Sequence, residues 1–326
     1  MRIAFVGVFA CGLLLSVPVV GSADNTSAVA TPVVLEIVGE PELFAPGIVS
    51  TEASDVRLTL SPDGQTAAWF TRNRAGGPGE YDIWISKRSS KGWTAAVPAS
   101  FNSPQRDFDP AFSADGRFIY FCSNRPGGLG GDDIYRAPVE QDGFGAVEHV
   151  GANVNSARNE WAPMLSPDGN TLLFSSNGRG AQRLDLFIAR RLGDNTFAPA
   201  SPLPGAINTS ADEFDATFLA DNTTVVFSRA PDINVDRITL AYSSLTGNGN
   251  DAGTVLPASV NAVGQNTYGP MLDWSRPDHI TLSSQRPEAR AGGTDLYVIR
   301  YRLTRPPAAT QQRLQGRRPP ASVEMP

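Results

Sequence analysis

A closed ring of five four-stranded antiparallel sheets, an all-β five-bladed β-propeller, is the fold that this sequence predicts. Three observations predict it. Val49, Asn102, Asn155, Asn208 and Asn261 stand 53 residues apart, four equal intervals in succession. A turn phrase recurs with nearly the same period: Ser61-Pro62-Asp63-Gly64, Ser113-Ala114-Asp115-Gly116, Ser166-Pro167-Asp168-Gly169 and Leu219-Ala220-Asp221-Asn222, with a degenerate copy around Ser275 to Asp278. Between these markers every unit repeats one order of short strand-like runs, and nothing past the apolar N-terminal run has a sustained helical period.

Each unit opens with an alternating run, as in Val56-Leu58-Leu60, Phe108-Pro110-Phe112, Trp161-Pro163-Leu165, Phe214-Ala216-Phe218 and Tyr268-Pro270-Leu272. Period-two apolarity predicts a strand with one buried face. The Asp-Gly phrase then closes a tight hairpin, and a second strand centres on Phe70, Phe121, Phe174, Phe227 and Leu282. A glycine-rich loop follows, and a third strand opens at Asp82, Asp133, Asp185, Asp236 and Asp295. The fourth begins near Trp93, Phe144, Phe197 and Thr254. Four antiparallel strands in about fifty residues is the signature of a propeller blade. The 271 residues from 33 to 303 hold five such units, and the last stops after its third strand. The run Val33 to Val38 supplies the missing one, so the two ends share a blade and no open edge remains.

The ends read differently. Arg2, the apolar stretch Ile3 to Val20, the breaker Pro18 and the small residues Gly21-Ser22-Ala23 predict a secretory signal peptide over 1–23, with Ala30 as the second cleavage choice. A linker over 24–32 follows. Residues 304–326 carry Pro306, Pro307, Pro319 and Pro320 with Arg305, Arg313, Arg317 and Arg318 against one acid, Glu324, which predicts a disordered basic tail. With the leader cleaved, no membrane span is expected, and the mature chain is expected to be periplasmic or secreted and monomeric.

A net charge of −6 and a pI near 5.1 exclude a nucleic-acid partner, which requires a basic face. Cys122 is the one cysteine outside the leader and reads as a small buried hydrophobe. His149 and His279 form no ligand spacing, so no metal and no cofactor are expected.

The run from Phe112 to Gly128, FSADGRFIYFCSNRPGG, followed by Asp133-Ile134-Tyr135, resembles the WD-like repeat of TolB-type β-propellers. The resemblance spans all five units and is strongest in the second. It implies a periplasmic location and protein–protein contacts through the propeller faces. The chain departs from that family in having five units instead of six and no extra N-terminal α/β domain.

Features shared by all units are expected to be structural, and departures from the repeat to mark a specific site. The strand-opening aspartates Asp82, Asp133, Asp185, Asp236 and Asp295 read as carboxylates that pin the glycine-rich loop before them. Asp55, Asp107, Glu160 and Glu213 precede four first strands, with Thr267 in the fifth unit. Two positions on, the units diverge into Arg57, Asp109, Ala162, Asp215 and Gly269, which places an ionic cluster at the funnel. Two readings stand. In the first the chain is a non-enzymatic binding or scaffolding module for an envelope protein or peptidoglycan-associated partner. Its rim would then carry Arg57, Arg74, Arg125, Trp161, Arg179 and Tyr268, since arginine and aromatic residues anchor interfaces. In the second it is a glycoside hydrolase whose acids come from Asp55, Asp109, Glu160, Glu213 and Asp215.

Overall fold

The computed structural model describes residues 33–181, 183–245, 251–286 and 293–305. The predicted leader, the whole linker and most of the tail lie outside them. The five sheets are built in chain order. The inner strands are Ser54–Leu60, Asp107–Phe112, Glu160–Leu165, Asp212–Phe218 and Thr267–Leu272. Each inner strand packs beside those of the two adjacent blades, and the first meets the fifth, so the ring closes. Closure is made by Val34–Leu43, which pairs antiparallel with Asp295–Thr304 from Val34↔Thr304 to Leu43↔Tyr297. The two chain ends therefore share blade 5.

Sheets that stack face to face around an axis leave their inner strands no solvent face. Asp107–Phe112 is buried at every residue, and Ser54–Leu60 at all but its first. One buried face was the expectation from the alternation; both are buried, because neighbouring blades cover one and the filled axis the other. The outer strands are the opposite case. In blades 1 to 4 they are fragments of two residues, such as Val97–Pro98 and Ser201–Pro202. Short pieces interrupted by proline give a free edge little to template on.

The 53-residue marker has a physical function. The Asn102 amide accepts from the Ile83 N–H at 3.2 Å and donates to the Ile83 carbonyl at 2.9 Å. Asn155 does the same to Ile134, Asn208 to Leu186 and Asn261 to Leu240. The side chain thus copies the donor–acceptor pair of a backbone where the outer strand has ended. In blade 5 the neighbour of Val49 does this work: the Ser50 hydroxyl accepts from the Leu296 N–H and donates to its carbonyl, both at 3.2 Å.

One strand start differs from the expectation. Leu240, held by Asn261, occupies the place of Ile83, Ile134, Leu186 and Leu296, so the third strand of blade 4 opens at Thr239. Asp236 is exposed in a turn three residues earlier, where its N–H donates to the Asp232 carbonyl at 2.8 Å. The fourth loop is no longer than the others but lacks their glycines, and Asp236-Arg237-Ile238 imitates the strand opening three residues too early, where the strand itself has Thr239. In blades 1 and 2 the loop is pinned as expected from the chemistry: the Gly79 N–H donates to Asp82 at 3.1 Å, and the Leu129 N–H donates to Asp133. Gly77 must be glycine here, since a Cβ would lie 2.0 Å from the Asp82 carboxylate.

Two outcomes test this account. Asn155→Ala strands a buried N–H and carbonyl of Ile134 and is expected to destabilise by about 1–3 kcal/mol in denaturant unfolding. A chain that starts at Phe44 lacks the closing strand, and its thermal transition by circular dichroism is expected to be broad and non-cooperative.

Candidate functional site

Every inner strand carries a β-bulge at the same place, between Val56 and Thr59, Phe108 and Ala111, Trp161 and Met164, Phe214 and Thr217, and Tyr268 and Met271. At each bulge one residue takes left-handed backbone: Arg57 at φ 55°, Asp109 at 53°, Ala162 at 56°, Asp215 at 44° and Gly269 at 62°. These are the five positions where the repeat diverges. Only Gly269 suits such backbone without strain, and Asp tolerates it; for Arg and Ala it costs about 1–2 kcal/mol. Hydrogen bonds across blade boundaries offset the strain. The Arg57 N–H donates to Ser283 Oγ at 2.9 Å, Asp215 N–H to Ser175 Oγ at 3.1 Å and Gly269 N–H to Ser228 Oγ at 3.3 Å. The Ala162 N–H donates to Asp109 Oδ2 at 3.2 Å.

The bulge brings Arg57, Asp109 and Asp215 together on the axis. Arg57 is 0% exposed and crosses the channel from blade 1: its Nη2 donates to the Pro163 carbonyl of blade 3 at 3.3 Å, and its Nη1 lies 3.8 Å from Asp215 Oδ1 of blade 4. A Cβ at Gly269 would lie 3.1 Å from Ser283 Oγ, the hydroxyl that holds the Arg57 N–H. The Arg57 Nε and Nη1 are buried without a hydrogen-bond partner among the described residues. Asp109 is 5% exposed, and burial first, then the charge of Asp215, push its carboxyl up to about 7 against the pull of Arg57. Burial also raises Asp215, while Arg57 lowers it.

Beyond the bulge the channel is closed. Trp274 of blade 5 donates its indole N–H to the Phe112 carbonyl of blade 2 at 2.9 Å and packs with buried Ala111, Met164 and Met271. On the other side of the charged floor stands an aromatic collar. Phe108, Trp161, Phe214 and Tyr268 hold the position before the bulge in blades 2 to 5, and Tyr81 of blade 1 lies 5.8 Å from Phe108. Trp161 and Tyr268 are half-buried and both pack against the cluster of Phe214. The Trp161 indole donates to Asp132 Oδ2 at 2.9 Å, and Asp132 is held in turn by Arg106 at 2.8 Å. Arg72, exposed, sits 4.9 Å from the Tyr81 ring centre. The result is a blind cup with an aromatic wall and a charged floor.

The other sequence-predicted residues lie in the blades. Asp55 accepts from the Thr51 N–H and hydroxyl, from Trp69 Nε1 and from Thr71 Oγ1. Glu160 accepts from the N–H and hydroxyl of Ser156 and from Ser176 Oγ, and Glu213 from those of Thr209 and from Arg229 Nε at 2.7 Å. The arrangement is one motif: a hydroxyl residue after the 53-residue marker, tied to the acid four places on. Arg125 bonds Asp107 at 2.6 Å and the Phe101 carbonyl at 3.1 Å. Arg179 donates to the carbonyls of Ala152, Val154 and Asn155, and Arg74 lies over Trp84 at 4.4 Å. Of the rim residues, Arg57 forms the floor, and Trp161 and Tyr268 the wall.

Sequence reasoning missed Trp274, Tyr81, Arg72 and the Arg106–Asp132 support. Trp274 left a signal, since it stands where the other units have Pro62, Ala114, Pro167 and Ala220. Tyr81 and Arg72 left none, because their place on the collar depends on the neighbouring blade.

No protein-family model and no curated protein matches the chain. Solved structures do resemble it. The putative TolB from Agrobacterium tumefaciens is 17% identical, with a TM-score of 0.46 over 76% of this chain and 74% of its own. TolB from Acinetobacter baumannii is 14% identical, with a TM-score of 0.45 over 78% of this chain and 56% of its own. The endo-arabinase from Bacteroides thetaiotaomicron is 13% identical, with a TM-score of 0.49 over 78% of this chain and 96% of its own. The sheet topology makes the chain a five-bladed β-propeller. At such identities and TM-scores the likeness says nothing of what the chain does.

The floor predicts a pH dependence. The folded chain holds the Asp109 proton more tightly than an unfolded chain, whose carboxyl titrates near 3.8. The burial of Asp109 therefore leaves stability untouched below about 4, erodes it as pH rises, and exerts its full cost above about 7. Asp109→Asn keeps the shape and the left-handed backbone. In thermal melts from acid to pH 8 its stability relative to the parent is expected to increase with pH.

Proposed function

We propose that the chain is an exported binding propeller that captures a component of the bacterial cell envelope at the mouth of its funnel and does not turn it over. One observation carries the reading: the blind cup, with half-buried Trp161 and Tyr268 above a floor closed by Arg57. Concave sites lined by aromatic side chains with a few converging polar groups are where ligands bind, and a cup closed at the far end binds without conducting. Export is supported by Arg2, the apolar run Ile3 to Val20 and the likeness of the repeat to TolB-type propellers. Among the described residues no helix is long and apolar enough to cross a membrane.

A second reading rests on Asp109. A carboxyl pushed up to about 7 beside a second acid, Asp215, is the kind of pair from which a glycosidase draws its general acid. Against it, Asp215 is paired with the Arg57 guanidinium at 3.8 Å and the same charge pulls on Asp109.

The test replaces Arg72 with a photo-crosslinking amino acid in the full chain, expressed in a bacterial host with its leader. A discrete adduct in the periplasmic fraction, lost on Trp161→Ala, is the expected result. Turnover of any substrate in a chromogenic glycoside panel, abolished by Asp109→Asn, would overturn the non-catalytic reading.

A further inference from the structure

We infer that an acidic groove between blades 1 and 2 is the docking site of this chain's own basic tail, residues 306–326. The groove opens on the turn face, opposite the mouth of the cup, and the inference is independent of what the cup binds.

The groove has a volume of about 660 Å³. Its floor is apolar: Ile85, Ala99 and Phe112 are buried there, and Phe144 is half-buried beside them. Its sides carry two exposed aliphatic side chains, Val97 at 56% and Val139 at 36% exposure. A single exposed valine needs no explanation, but two that line one concave surface do. The lip is acidic. Asp63, Asp115, Glu140 and Asp142 line it against one base, Lys87. Arg117 holds Asp115 at 3.0 Å, whereas Asp63, Glu140 and Asp142 form no ion pair among the described residues. An apolar floor under an acidic lip selects a segment that carries an aliphatic side chain between cations. A second copy pressed here by the same face would set acid against acid, and an anionic polymer would be repelled.

The chain holds such a segment. Leu314 stands among Arg313, Arg317 and Arg318, and Glu324 is the one acid after Arg305. The tail also starts on the right face. Asp295–Thr304, the strand that leads into it, ends against the turn of blade 5. There the Tyr301 N–H donates to the Asp278 carbonyl at 2.8 Å, and its hydroxyl to the Pro277 carbonyl at 2.6 Å. The turns of blades 5, 1 and 2 lie side by side. A Cβ on Gly64 would lie 3.1 Å from Ser275 Cβ, and one on Gly116 3.5 Å from Pro62 Cδ. From Arg305 an extended chain reaches about 26 Å to Arg313 and about 43 Å to Arg318. Sheets stacked face to face lie about 10 Å apart, so two steps between blades fall within that reach.

Exposed ion pairs contribute only about 0–1 kcal/mol each. Tethering offsets that weakness, because a linked segment meets its groove at an effective concentration on the order of millimolar. Contacts too weak to hold a free peptide are therefore populated within one chain.

The test places a photo-crosslinking amino acid at Leu314 of the whole chain and maps the products by mass spectrometry. The expected product is a link within one chain to residues 97–100 or 139–144. Its yield is expected to fall at least about fivefold when Glu140→Lys and Asp142→Lys are combined, and to fall in high salt. Both substitutions lie on exposed residues, so the thermal transition of the propeller is expected to stay unchanged. Hydrogen exchange gives an independent readout. Amides of the same two segments are expected to exchange several-fold faster when Arg313→Ser, Arg317→Ser and Arg318→Ser are combined than in the parent. Absence of a discrete link, links to other blades, or links only between two chains would overturn the inference. So would a link that survives the double lysine substitution, or equal exchange in the parent and the triple serine variant. An adduct captured at the mouth of the cup reports on the other face and leaves each of these outcomes as it stands.

Discussion

The bulge in each inner strand is the constraint on which the rest of this molecule depends. Five sheets that converge on one axis leave little room, and a regular strand would present its side chains to the blade interfaces on both faces. One residue in left-handed backbone turns a single side chain per blade onto the axis. The strain is held by hydrogen bonds that run between blades, from Arg57 to Ser283, Asp215 to Ser175 and Gly269 to Ser228. The same contacts that permit the bulge therefore also set the angular spacing of the ring. The bulge position varies among arginine, aspartate, alanine and glycine from blade to blade.

Much of the charge in the sequence serves the blades. Each acid before an inner strand is tied to a hydroxyl residue four places earlier, and that residue follows the marker that holds the third strand. Marker, hydroxyl and acid form one device that fastens the passage from one blade into the next. Arginines add to it, Arg125 of the second glycine-rich loop on Asp107 and Arg229 of the second strand of blade 4 on Glu213. A buried carboxylate with several donors is satisfied, so it neither invites a ligand nor reacts. Arg57 is the contrast: buried to the same degree, it keeps two nitrogens without hydrogen-bond partners among the described residues.

The rule that departures from a repeat mark special positions picked out the bulge and would have picked out Trp274, which stands where the other turns have proline or alanine. Local pattern failed where it ran ahead of the repeat. The fourth loop carries Asp236-Arg237-Ile238, which matches the strand-opening pattern, while the strand itself opens three residues later at Thr239. Period alone likewise pointed to Val49, whose side chain is core, although the hydrogen bonds to Leu296 come from Ser50. Spacing counts residues, but a hydrogen bond selects chemistry, and the two separate when one residue is gained or lost.

The amino-acid sequence by itself determined the number of blades, their strand order, the joining of the two ends in one blade and the five positions that face the axis. All of these follow from local patterns repeated five times, since alternation, turn chemistry and spacing act within a single unit. Only the tertiary structure decided that Arg57 spans three blades, that Trp274 seals the channel from the opposite side, and that Tyr81 completes a collar begun by other blades. Those are contacts between units distant in sequence, and no pattern within one unit encodes the geometry of another.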